Sequence, residues 1–119
     1  MDAANEKKKD LAPGVHALLL AVHRGDEGEV RRLLSAGVNV NGVDGDGMSP
    51  LMASAMNGQV SIAKQLLEHG AYADMFNKWG MSARDIAVWH GYEALAALLD
   101  GAVASSAKGR RKVVRSHEG

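Results

Sequence analysis

A 33-residue offset runs through the chain and constrains its fold more than any other feature. Gly25, Gly58 and Gly91 fall into register at that spacing, as do Leu33, Leu66 and Leu99, Gly37 with Gly70, and Ser49 with Ser82. Between these landmarks the middle unit spells out a complete helix–turn–helix. Ser49-Pro50 opens its first helix, because a serine hydroxyl accepts from an orphan amide one turn on and proline suits the first helical position. Leu51, Ala53, Ala55 and Met56 carry that helix to Asn57-Gly58, where glycine's access to the left-handed region ends it. Val60, Ile62, Ala63, Leu66 and Leu67 recur at spacings of three and four, an apolar stripe along a second helix that Gly70 closes. Neither helix reaches the roughly 12 to 15 residues that an isolated helix needs in water, so each unit has to bury its stripe against a neighbouring copy.

The period, together with Asp44-x-x-Gly47-x-Ser49-Pro50-Leu51 and Leu66-Leu67-Glu68-His69-Gly70-Ala71, resembles the ankyrin repeat. The resemblance covers about residues 14 to 102, with the middle repeat close to the family pattern and the outer two degraded, as terminal capping repeats are. It implies an all-α fold, an ankyrin-repeat solenoid of three helix–turn–helix units joined by β-turn fingers. The expected organisation is a disordered leader over residues 1–13, a repeat domain over 14–103 (about 14–43, 44–76 and 77–103), and a basic disordered tail over 104–119.

In the first repeat, Val15 to Val22 and Asp26 to Ser35 are the expected helices, ended by Gly25 and Gly37, with Leu18, Leu19, Leu20 and Val22 in core slots. His16 aligns with the serine that caps the other repeats, and capping is its simplest explanation. The run Val38 to Gly47 matches the family's finger, where Asp44 and the glycines suit a tight turn. Asp44-Gly45-Asp46-Gly47 lacks the third oxygen ligand of a calcium loop, and Ala55 stands where the loop's glutamate belongs. In the third repeat Arg84 replaces a buried leucine of the pattern. A buried, unpaired guanidinium is very costly, so either this helix is a solvent-facing cap or Arg84 snorkels outward. Met52 replaces the histidine of the family's T-P-L-H turn, while Asp85 is placed to keep a polar version of that bond.

A chain of 119 residues with 46% hydrophobic content is one globular domain by length and composition. Cysteine is absent, which removes disulfide and thiolate chemistry and points to an intracellular setting, cytoplasmic or nuclear. The longest apolar runs, Ala17 to Val22 and Ala94 to Leu99, fall far short of the roughly 20 residues that cross a bilayer. The formal net charge of zero conceals a division. Residues 11–103 carry a net of about −4, whereas Lys108, Arg110, Arg111, Lys112 and Arg115 face only Glu118 in the tail. Those five cations suit a nuclear-import signal or an arm on nucleic acid or another acidic surface, although without interleaved aromatics they do not suit base stacking. A solvated tail is the alternative.

Catalytic and metal-binding patterns are not found. His16, His23, His69, His90 and His117 are scattered over different units without an H-E-x-x-H arrangement. No nucleophile elbow or phosphate-binding loop occurs, so the expectation is a protein that is not an enzyme and holds no cofactor. The resemblance instead directs attention to finger tips and the exposed side of each first helix, the variable surface of the family. In this chain those places fall on Gly45, Asp46, Met48, Met56 and Asn57, and on Lys78, Trp79, Met81, Trp89 and His90. Tryptophan and methionine are enriched where large or adaptable apolar groups desolvate against a partner. The competing reading is packing, with Trp89 on Tyr92 or under the tail and Trp79 over Phe76. The expected partner is another protein, and the alternative is a nucleic-acid- or ribonucleoprotein-associated factor working through the tail.

Overall fold

The computed structural model describes residues 14–103. Among them are six helices: α1 (Val15–Arg24), α2 (Glu27–Ser35), α3 (Pro50–Met56), α4 (Val60–Glu68), α5 (Ala83–Trp89) and α6 (residues 93–103). They fall into three pairs, each joined by a short turn. The first helices α1, α3 and α5 pack side by side, α2 packs on α4 behind them, and α1 and α3 each pack on their own second helix. The all-α solenoid that the resemblance implies is therefore the architecture present.

Local chemistry sets each boundary. Ser49 is the N-cap of α3, accepting from the Met52 amide at 3.2 Å, with Pro50 at the first helical position. Ser82 caps α5 in the same way and adds a reciprocal bond, its own amide donating to the Asp85 carboxylate at 3.0 Å. That capping box turns Asp85 back on its own helix, so it does not supply the inter-repeat bond expected of it. Asp26 caps α2 through the Glu29 amide. Farther along α2 the Arg32 guanidinium donates to Glu29 at 2.8 and 2.6 Å, and these bonds hold that exposed carboxyl below the usual carboxylate range.

One core runs through all three units. Leu18, Val22 and Val30 in the first, Leu51, Met52, Ile62 and Leu66 in the second, and Ala87, Leu95 and Leu99 in the third are almost wholly removed from water. Each fully buried leucine or isoleucine contributes about 1.5 to 3 kcal/mol of transfer free energy. Ala53, Ala55 and Ala63 are completely buried, and their small side chains let the short helices approach closely. Met52, in the place of the family's histidine, is a core residue at 1% exposure.

Two expectations for the first repeat need correction. Leu20 is not a core residue but 40% exposed. At 100° per residue it lies about 200° around α1 from Leu18 and well away from Val22, so it cannot share their stripe. His16 is not a cap either. The N-cap is Gly14, at φ 99 with no side-chain bond, and His16 stands exposed in the first turn. Arg84, by contrast, is resolved in favour of the outward reading, since its side chain is exposed and pairs with Asp100 of α6.

Candidate functional site

Two fingers precede α3 and α5, and each is held by one side chain. Asp44 Oδ1 accepts from the amides of Asp46 and Met48 at 2.8 and 3.0 Å. One period later Asn77 Oδ1 accepts from Trp79 and Met81 at 2.9 and 3.0 Å. The same side-chain turn is thus built twice, once from a carboxylate and once from a carboxamide. The carboxamide brings a donor that the carboxylate lacks. Asn77 Nδ2 reaches across to Met48 Sδ at 3.4 Å, so a buried side chain links the third finger to the second.

Further contacts lock the fingers together. The Lys78 amide donates to the Asp46 carbonyl at 3.0 Å, and Lys78 Nζ pairs with Asp46 Oδ1 at 2.7 Å. Lys78 Nζ also lies 4.8 Å from the Trp79 ring centroid, a cation–π contact. Both members of the ion pair are about half exposed, so the pair orients the rim and adds little stability.

Between the fingers and the first helices of repeats two and three lies an open groove of about 300 Å³. Met48, Asn77, Trp79 and Met81 line it from the fingers, and Met56, Ile86, Trp89 and His90 from α3, α5 and the α5 C-cap. The three methionines are partly buried, whereas Trp79 is 62% and Trp89 78% exposed. Among the described residues neither indole stacks on the ring that the competing reading offered, and the tail that it also offered to Trp89 lies outside them. Phe76 is itself 61% exposed, and the ring stacked on Tyr92 is His90, at 5.8 Å and 18° between planes.

Six of the residues singled out by sequence, Met48, Met56, Trp79, Met81, Trp89 and His90, meet in this groove. Asp46 and Lys78 form an ion pair on finger tips beside it, Asn57 is the exposed C-cap of α3, and Gly45 lies at the exposed tip of its finger. Asn77 and Ile86 were missed. Each had a signal one period earlier, for Asn77 aligns with the turn residue Asp44 and Ile86 with Ala53. Lys108, Arg110, Arg111, Lys112 and Arg115 lie outside the described residues. Among the described residues no three His, Asp or Glu side chains converge as a metal site would require, and no helix is long and apolar enough to cross a membrane.

Comparison with known proteins places this arrangement. The family model for ankyrin repeats, in three copies, matches residues 5–108. The potassium channel GORK of Arabidopsis thaliana is 39% identical over 83 residues, 70% of this chain and 10% of that protein. The ankyrin repeat-containing protein YIL001W of Saccharomyces cerevisiae is 42% identical over 57 residues, 48% of this chain and 11% of its own length. The palmitoyltransferase AKR1 of Lachancea kluyveri is 35% identical over 77 residues, 65% of this chain and 10% of its own. The chain spans about a tenth of the length of these relatives.

Proposed function

Since this chain belongs to the ankyrin-repeat family, whose members are generally protein–protein interaction modules and typically non-catalytic, we propose that it is an adaptor or assembly subunit that binds its partner through the groove of repeats two and three. The observation that carries the reading is the pair of exposed indoles, Trp79 and Trp89, flanking a methionine-lined groove. Exposed apolar surface of this kind is costly in water, and aromatic anchors over adaptable thioethers are what interfaces use. Likeness to segments of proteins as different as a potassium channel and a palmitoyltransferase supports a portable binding role in preference to a shared chemistry. Ankyrin-repeat proteins are commonly intracellular, in keeping with the cysteine-free composition.

The test is comparative affinity capture from cells with the full chain, Trp79→Ala and Trp89→Ala. Proteins retained by the parent and lost with both variants support the groove. Equal retention by all three removes it as the docking site. A second reading rests on the five cations between Lys108 and Arg115, which suit a nucleic acid or another acidic surface.

A further inference from the structure

The chemistry of the partner is narrowed by charge along the edge that leads to the groove. In the 33-residue register two columns cross the stack: His23, Met56 and Trp89, and beside them Arg24, Asn57 and His90. Because α1 packs on α3 and α3 on α5, these columns run from the first repeat into the groove. All of these residues except the half-buried Met56 are exposed, and neither column contains a carboxylate.

This is unexpected in a domain with more acids than bases. The acids that follow Arg24 in sequence are engaged. Asp26 accepts from the Glu29 amide, Glu27 from Ser61 Oγ, and Glu29 pairs with Arg32. Asp46 pairs with Lys78 and Asp100 with Arg84. Arg24, by contrast, makes no ion pair among the described residues. Its place in the last turn of α1 suits the helix dipole, which accounts for a cation there. That does not use its guanidinium donors, which are a ready match for a carboxylate.

Resting on the groove reading, we infer that the partner presents a peptide segment with an apolar anchor side chain for the groove and a carboxylate for Arg24. Neighbouring helices stand about 8 to 10 Å apart, which puts Arg24 about 15 Å from a groove lying between repeats two and three. An extended chain covers about 3.3 to 3.6 Å per residue, so anchor and acid are separated by about four or five positions.

A display library of random linear peptides, selected on the full chain, tests this. The expected consensus is an aromatic or aliphatic residue with Asp or Glu about four or five positions away. With a selected peptide as probe, Arg24→Gln lowers affinity about two- to fivefold, the range of an exposed ion pair, and Arg24→Glu lowers it further. Trp89→Ala lowers it about thirtyfold. Circular dichroism confirms that each variant is folded. Peptides that need Trp89 but ignore Arg24, including acidic ones held by the tail, overturn this inference and leave the groove reading standing. So does a consensus without acids. Peptides indifferent to Trp79 and Trp89, or no enrichment at all, remove both.

Discussion

Tyr92 lays its ring on Gly58. A β-carbon at Gly58 would sit 2.9 Å from two of the ring carbons, and the glycine itself is at φ 68. One period earlier Gln59 does the same to Gly25, its Nε2 lying 3.3 Å from a β-carbon placed there and donating to the Val22 carbonyl at 2.7 Å. The residue after each turn glycine therefore docks on the glycine of the preceding repeat. At Gly91, the last of the series, an added β-carbon would meet nothing within 4 Å among the described residues. Gly91→Ala is then expected to cost only left-handed backbone strain, about 1 to 2 kcal/mol, whereas Gly58→Ala adds about 1 to 3 kcal/mol of overpacking. Urea melts of the two variants measure the difference, and coincident midpoints would show that Tyr92 is not held against Gly58.

Leu66 is completely buried at the centre of the shared core. Leu66→Ala is expected to weaken the domain by about 2 to 5 kcal/mol, and Leu66→Asp to abolish folding. Thermal melting followed by circular dichroism checks both. An unchanged midpoint in the aspartate variant is incompatible with the packing described.

Asn77 separates two roles that sequence alone merges. Asn77→Asp keeps the acceptor for the Trp79 and Met81 amides, loses the donor to Met48 and puts a charge on a buried side chain that the two amides partly offset, so a loss of about 1 to 2 kcal/mol is expected. Asn77→Ala strips both amides of their acceptor, at about 1 to 3 kcal/mol, and loosens the finger that carries Trp79. Tryptophan emission reports the second effect. If aspartate proved as damaging as alanine, the shared acceptor for the two amides would not be what holds this finger.

Replacing the indoles should spare the fold. Trp79→Ala and Trp89→Ala are expected to shift stability by about 0.5 kcal/mol or less, as exposed positions do, while binding falls by about 2 kcal/mol or more. A large drop in melting temperature with capture intact would recast both as packing residues.

For the tail, binding of a nucleic-acid duplex should weaken with salt along a log–log slope no steeper than about −4.5, the limit for five phosphate contacts. A chain ending at Val103 should not bind. Salt-independent association, or association that survives truncation, counts against an electrostatic arm.

The fold was legible because its rules are local and repeated. Ser49-Pro50, Gly58 and the spacing of Ile62, Ala63 and Leu66 each specify one event, and the period says it happens again. Leu20 misled because a run of three leucines covers more of a helix than one stripe, and only the angle from Leu18 and Val22 separates face from edge. The groove was half legible. The exposed indoles and the methionines follow from register, but Asn77 gains its role from a contact to Met48 in a different finger, which no local pattern encodes.

Among the described residues the middle repeat has a neighbour on both sides and the third on one, and the groove is shared between them. In a one-dimensional stack each unit's persistence depends on its adjoining interfaces, so an end unit opens more readily than a central one. A ligand seated across that boundary acts as a clamp. Occupancy and local order then become a single equilibrium: the free energy with which the partner is held is the same free energy that keeps the outer helices from fraying, and each can be read from the other.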